Sequence, residues 1–168
     1  MKKLGITTVE LMPVYEFEEM DIPVKQEMPE YLKGKMRPED LLHINKEMEC
    51  GRKVNFWGYC AGNYFAVKAG YAFDQKNPEK ELKDLVCKMH RMGMECVMEM
   101  YFPEYSNHNL VLEALHYWIR EFHVDGFHLI GQDLPITAIV QDVRLSRTKI
   151  FYEAFDEVLL KETKKYKH

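Results

Sequence analysis

Short apolar runs rich in β-branched residues alternate with helical stretches along this chain, and this alternation limits its fold more than any other feature. Four such runs predict strands, at residues 6–12, 95–102, 127–130 and 148–152. Strands of continuous apolar character that alternate with helices favour a parallel α/β sheet, because parallel neighbours need a long crossover connection. The sequence therefore predicts four parallel strands with helices packed outside them, and it predicts a buried strand at residues 6–12.

Two helices are predicted between these strands. The first begins at Asn77 as the N-cap, with Pro78 at the first helical position, and it ends at Gly93. Its apolar residues recur at helical spacing, at Leu82, Leu85, Val86, Met89 and Met92. The second helix has the same spacing at Val111, Leu115, Trp118, Ile119 and Phe122.

Residues 15–54 have no sustained hydrophobic period and mix prolines with charges of both signs. They predict a long loop, with a short helix near residues 37–48. A loop of this length in a compact domain is usually functional or disordered. Residues 157–168 are predicted to be helical or frayed.

The composition excludes several classes of protein. With 168 residues, 46% of them hydrophobic and 12% aromatic, the chain is large enough for one domain and is not expected to be disordered. The net charge of −4 argues against a nucleic-acid partner, since such proteins usually carry a basic surface. No apolar run reaches the length of a membrane span, and the first residues become polar too soon for a signal peptide. The four cysteines form no Cys-x-x-Cys pair, so we expect a cytoplasmic protein with reduced thiols.

Periodicity alone leaves two parallel architectures open. A (β/α)8 barrel needs eight strands, usually in about 250 residues, whereas four are counted here. A doubly wound open sheet is the other parallel arrangement. Its nucleotide-binding version has a glycine-rich loop after a strand, and no such loop occurs in this sequence.

Five strings, in chain order, resemble a known family. They lie at residues 4–14, at residues 55–59 with 63–66, at residues 82–95, at residues 117–127 and at residues 145–156. They are similar to strands two to five of the catalytic barrel of debranching enzymes in the α-amylase superfamily (glycoside hydrolase family 13), which include pullulanases, isoamylases and glycogen debranching enzymes. The resemblance implies an α/β fold, a partial (β/α)8 TIM barrel with parallel strands and outer helices. Residues 1–168 would then be a partial catalytic barrel domain with a long loop insertion at residues 15–54.

The resemblance also implies retaining glycoside hydrolysis, in which one carboxylate attacks the anomeric carbon while a second acts as acid and then as base. The family's nucleophile is an aspartate that ends strand four in a Gly-Phe-Arg-Phe-Asp string. The matching string here is Gly126-Phe127-His128-Leu129-Ile130, so Ile130 takes the place of the nucleophile and His128 that of the arginine. Asp133 follows three residues later, and this odd offset would place it on the other side of an extended strand. The isoleucine side chain has no lone pair with which to attack the anomeric carbon, so we expect hydrolysis to be impaired.

Other positions match the family's remaining site residues. Glu153 matches the acid/base glutamate at the end of strand five. Strand three of the family ends in Asp-x-x-Tyr-Asn-His, and here Glu99 matches the aspartate while Glu104 stands at the histidine. Tyr59 matches an aromatic platform that stacks on the sugar. The candidates for substrate binding are therefore Tyr59, Glu99, Glu104 and His128. No cofactor is expected, and no metal site is expected, because the other histidines lack metal-ligand spacing.

Three functional hypotheses follow. The first is a glycoside hydrolase of the α-glucan debranching type, in glycogen or starch metabolism, impaired at Ile130. The second is a non-catalytic pseudoenzyme that binds α-glucan or another protein, and the third is an unrelated parallel α/β protein. The first and second imply an α-glucan partner. Because the outer strands of a half-barrel have unpaired edges, we also expect the remainder of a longer chain or self-association.

Overall fold

The computed structural model describes residues 2–21 and 53–153 of the chain. The strands are β1 (Thr8–Leu11), β2 (Tyr15–Phe17), β3 (Met20–Asp21), β4 (Lys53–Val54), β5 (Gly62–Val67), β6 (Glu95–Tyr101), β7 (Gly126–Ile130) and β8 (Lys149–Tyr152). The helices are α1 (Pro78–Arg91), α2 (His108–Phe122) and α3 (Ile136–Gln141), with short 3-10 turns at Lys2–Leu4, Ala69–Tyr71 and Val143–Leu145. The predicted helices near residues 37–48 and 157–168 lie outside the described residues.

The chain divides into two compact units, one of residues 18–56 and one of the two segments that flank it. In the first unit, β3 and β4 pair antiparallel, and the amide of Asn55 donates a hydrogen bond to the carbonyl of Glu19. All other elements belong to the second unit. The single partial barrel domain expected from the sequence stays a prediction.

The second unit is built on a parallel sheet with the strand order β1-β6-β7-β8. Helix α1 precedes β6, α2 connects β6 to β7, and α3 lies between β7 and β8. The neighbours follow one another along the chain without the reversal of order that marks a doubly wound sheet. The predicted parallel α/β architecture with outer helices is therefore confirmed, and the strand order is that of a barrel segment.

The core lies between the sheet and its helices. On β6, the side chains of Cys96, Met98 and Met100 are buried on the helix side, because alternate residues of a strand point to opposite faces. Trp118 is the largest buried residue of α2, and its ring lies 4.7 Å from that of Phe122. This packing explains the helical period of apolar residues in α2, and in α1 at Leu82, Val86 and Met89, whereas Leu85 and Met92 are exposed.

The expectation of a buried strand at residues 6–12 is wrong for β1, and β8 has the same pattern of exposure. Both alternate between exposed and half-buried residues along their length. Within the described residues each has a single neighbour in the sheet, and only the helix side of each is packed. We call the other side, away from the helices, the open face. The expected pairing of β1 and β8 with the remainder of a longer chain or with a second copy stays a prediction.

The expectation of a loop from residue 15 onward is also wrong at its start. Residues Tyr15–Phe17 form β2, which pairs antiparallel with β5. The pairing is close, since a Cβ atom on Gly62 would lie 2.3 Å from the carbonyl oxygen of Glu16. Tyr15 is fully buried, and its hydroxyl lies 3.3 Å from the carbonyl oxygen of Tyr101, at the end of β6.

Two further hydrogen bonds fix this small sheet to the barrel segment. The Tyr64 hydroxyl donates to the Tyr101 carbonyl over 3.0 Å, and the Trp118 indole N–H donates to the Tyr64 carbonyl over 2.7 Å. Burial raises the pKa of Tyr64 to about 12. The β2–β5 sheet therefore closes the core at the carboxyl end of β6.

The ends of the helices agree only in part with those predicted from the sequence. Pro78 opens α1 and Gly93, at a φ of 71°, follows it as predicted, but the Asn77 side chain makes no capping hydrogen bond. It donates instead to the carboxylate of Asp74 over 2.7 Å. A third, short helix, α3, lies between β7 and β8, where the sequence analysis predicts none. None of the helices among the described residues is long and apolar enough to cross a membrane.

Candidate functional site

The carboxyl ends of the parallel strands and the open face carry the polar side chains predicted from the sequence. The register pairs Glu99 of β6 with His128 of β7, and His128 with Phe151 of β8. One step further along, Tyr101 pairs with Ile130. Paired residues of neighbouring strands lie on the same face of a sheet, and so do residues two apart on one strand. Glu99, His128 and Ile130 therefore lie together on the open face, near the carboxyl ends of their strands.

Glu10, Glu99 and His128 form a compact group on this face, which we call the carboxylate–histidine cluster. Their ligand-type atoms all lie within 4.8 Å of one another. The Nδ1 atom of His128 lies 2.6 Å from Oε1 of Glu10. Glu10 and His128 sit on strands separated by β6, about 10 Å apart, so their side chains meet over the middle strand.

Tyr59 joins the cluster from the segment before β5. Its hydroxyl donates a hydrogen bond to Oε2 of Glu99 over 2.7 Å, while 40% of the residue stays exposed. The ring lies 6.4 Å from that of Tyr101, tilted by 39°. The arrangement leaves the ring open to a ligand and holds it by its hydroxyl.

The hydrogen bond to Glu99 raises the pKa of Tyr59 from 10.0 to about 12, because losing the phenol proton would leave two negative oxygens in contact. A raised phenol pKa adds stability that is present below pH 10 and is lost as the pH rises through about 12.

We expect Glu99→Gln to return the pKa of Tyr59 toward 10.0, since the carboxylate that favours the neutral phenol is gone. Spectrophotometric titration of the phenolate measures this change. The chain has ten tyrosines, so the signal of Tyr59 is obtained by subtracting the titration of a Tyr59→Phe variant made in the same background, with Glu99 or with Glu99→Gln. An identical Tyr59 titration in the parent and in Glu99→Gln would contradict the hydrogen bond.

The position that the resemblance matches to the nucleophile carries an aliphatic side chain at the end of β7. Ile130 is half-buried, and its carbonyl accepts a hydrogen bond from the amide of Phe102 over 2.8 Å. Asp133 is exposed in the bend that follows, at a φ of 53°, where its carbonyl lies 3.1 Å from Nε2 of His108. Asp133 is therefore a loop residue rather than part of the strand.

Glu153 and Glu104 lie outside the cluster. Glu153 is exposed and directly follows β8, two residues after Phe151. Glu104 is exposed in the turn after β6. In the part of the chain that the structure describes, no hydrogen bond or ion pair joins either residue to the cluster. The structure thus brings together Tyr59, Glu99 and His128, and no hydrogen bond joins Glu104 or Glu153 to them among the described residues.

A second polar group lies nearer the amino ends of the strands. The carboxylate of Glu95 accepts hydrogen bonds from the Thr8 hydroxyl over 3.0 Å and from the Lys149 ammonium. The bond from Lys149, followed by that from Thr8, holds the pKa of Glu95 below its ordinary value. This group connects β1, β6 and β8 across the open face, so it has a structural role.

Glu10 is the site residue that the sequence analysis missed. It lies within the apolar run at residues 6–12, and only its charge distinguished it. A strand buried on both faces does not usually carry a carboxylate, so this charge was the signal of an accessible face.

Comparison with known proteins supports the resemblance. No family model matches the chain. Isoamylase 3, chloroplastic, of Oryza sativa subsp. japonica is 25% identical, with 92% of this chain and 25% of the relative covered. The glycogen operon protein GlgX homolog of Haemophilus influenzae is 23% identical, with 93% and 28% covered. Pullulanase A of Streptococcus pneumoniae serotype 2 is 30% identical, with 61% and 7% covered.

The fold is also similar to that of a solved structure. A ligand-free PulA mutant from Klebsiella pneumoniae matches with a TM-score of 0.56 and 15% identity, over 90% of this chain and 23% of that one. The chain thus spans about a quarter of the length of the isoamylase and of the GlgX homolog. It is homologous over most of its length to isoamylases, GlgX and pullulanases, and the predicted partial barrel fold is confirmed.

Proposed function

We propose that this chain is a barrel segment of the debranching glycoside hydrolase type that binds α-glucan and does not hydrolyse it. The observation that carries the proposal is Ile130 at the carboxyl end of β7, where the family resemblance expects the nucleophile. The relatives support the substrate class, since their names are isoamylase, glycogen operon protein and pullulanase.

Loss of hydrolysis follows from the chemistry of retaining glycosidases. These enzymes need two carboxyl groups about 5 to 5.5 Å apart, one of which forms a covalent bond to the sugar. The isoleucine side chain has no lone pair with which to attack. Glu153, at the position of the acid/base residue, could still donate a proton, but protonation alone does not complete the two-step reaction.

Binding of a glucan needs an exposed ring and polar groups held in fixed positions, and the open face offers both. Tyr59 presents a partly exposed ring whose hydroxyl is anchored on Glu99. The carboxylates of Glu10 and Glu99 can accept hydrogen bonds from sugar hydroxyls. Because Glu10, Glu99 and His128 lie on strands rather than loops, little ordering is required when a ligand binds.

An active hydrolase is the alternative, and it would need a substitute nucleophile such as Asp133. The loop position of Asp133 and its positive φ do not place it on the open face with Glu99 and His128. We also propose a cytoplasmic location, which agrees with the absence of a disulfide at Cys87 and Cys96 among the described residues. Four plant relatives, by contrast, are named as chloroplastic.

We expect Tyr59→Ala to weaken binding of a maltooligosaccharide by roughly two- to thirteenfold, because an aromatic contact contributes about 0.5–1.5 kcal/mol. Isothermal titration calorimetry with maltohexaose measures the change. Tyr59→Phe is the matched control: it keeps the ring and loses the hydroxyl, so its affinity should stay much closer to that of the parent. Equal affinities of the parent and Tyr59→Ala would contradict a binding role for this ring, and absence of binding by the parent would contradict the proposed function.

A further inference from the structure

The carboxylate–histidine cluster has a composition that glucan binding does not require. It offers two carboxylate oxygens and one ring nitrogen, all within 4.8 Å of one another. Each ligand atom comes from a different strand, Glu10 from β1, Glu99 from β6 and His128 from β7. Three converging donors of this kind can surround one cation.

The donor set favours a transition metal over a hard cation. Ca²⁺ and Mg²⁺ prefer sites made only of oxygen ligands. Imidazole nitrogen together with carboxylate oxygen suits Zn²⁺, which often takes three protein ligands and one water. Zinc bonds of about 2.0–2.2 Å place tetrahedral ligand atoms roughly 3.4 Å apart. The 2.6 Å between Glu10 and His128 is shorter than that value, all the ligand atoms lie within 4.8 Å of one another, and the half-exposed Glu10 side chain has room to move outward.

Groups around the cluster hold its ligands in place. The Tyr59 hydroxyl donates to Glu99, which is the kind of outer hydrogen bond that orients metal-binding carboxylates. The ring of Phe151 lies 6.5 Å from the imidazole of His128 at an angle of 62°. Two carboxylates on the same face both attract a divalent cation placed between them.

We propose that Glu10, Glu99 and His128 together bind one zinc ion on the open face. The inference departs from the sequence-based expectation of no metal site. It rests on the geometry of the cluster and not on glucan binding. The bound ion would connect β1, β6 and β7 and so stabilise the sheet.

Zinc titration of the full chain tests this proposal. Chelator-treated protein without a histidine tag is titrated with ZnCl₂ in a calorimeter, and one ion per chain is expected. Glu10→Gln and His128→Ala should each weaken binding at least tenfold, since each removes a ligand. His90→Ala is the matched control, because His90 pairs with Asp125 outside the cluster, and it should bind zinc as the parent does. The exposed Cys87 thiol can also take zinc, so the titrations are repeated with Cys87→Ser.

Zinc binding that persists in both Glu10→Gln and His128→Ala, or no zinc binding by the parent, would overturn the proposal. Glu10→Gln preserves the shape of the side chain, and circular dichroism verifies that each variant is folded. No glucan is present in these titrations, so their failure leaves the glucan proposal standing. Conversely, a chain that binds zinc but not maltohexaose would refute only the proposed function.

Discussion

Purified protein is expected to release no measurable sugar from pullulan, glycogen or maltooligosaccharides. With Ile130 at the nucleophile position, the covalent step of the retaining mechanism has no attacking group. Removing a nucleophile typically lowers turnover by about 10⁴-fold or more. A reducing-sugar assay measures this loss, with an active pullulanase as the positive control for the substrates.

The Glu153→Gln variant distinguishes an inactive chain from an active one in this assay. In an inactive chain it changes nothing, because there is no reaction for the acid to assist. Turnover in the parent that disappears in Glu153→Gln would contradict the account and would show that a nucleophile exists. Asp133→Asn would then test whether the loop carboxylate supplies it.

Phe102→Ala is expected to reduce the free energy of unfolding by about 3–5 kcal/mol. Phe102 directly follows β6, is fully buried, and its ring lies 4.7 Å from that of Tyr64 on β5. Truncation would open a cavity where the β2–β5 sheet closes the core, and the hydrogen bonds around Tyr101 and Tyr64 restrict collapse into it. Urea denaturation followed by tryptophan fluorescence measures the change.

Phe73→Ala is the matched control, since Phe73 is 98% exposed and the same substitution there should alter stability by no more than about 0.5 kcal/mol. The comparison removes any effect of the Phe→Ala change that does not depend on burial. If the two variants lost similar stability, the packing of the small sheet on the end of β6 would be wrong.

Much of the fold could be predicted because the signals are local. The apolar run at residues 95–102 corresponds to β6 within one residue, and the helical period ending at Gly93 corresponds to α1. The β2–β5 sheet could not be predicted, because its partners, Tyr15–Phe17 and Gly62–Val67, are short and far apart in the chain. Helix α3, at six residues, is too short for its period to be recognised.

The candidate site was predicted in part, and that prediction came from the family resemblance and not from local sequence patterns. The family resemblance drew attention to Tyr59, Glu99 and His128, and the strand register brings them together. It gave no reason to single out Glu10, which the register pairs with the apolar Val97 and which reaches His128 over β6. Side-chain reach across two strands depends on rotamers that no sequence pattern encodes. For the same reason, the sequence could not tell that Glu104 and Glu153 stand outside the hydrogen-bonded network.

The central claim is that this barrel segment has no nucleophile at the carboxyl end of β7, and covalent trapping tests it most directly. A maltosyl fluoride with a second fluorine at C2 forms a long-lived ester with the nucleophile of a retaining glycosidase and releases fluoride. Intact-mass spectrometry of the treated chain should show the mass of the unmodified protein alone. A mass increase of one fluoromaltosyl group, mapped by peptide analysis to Asp133 or to any other carboxylate of the chain, would contradict the claim.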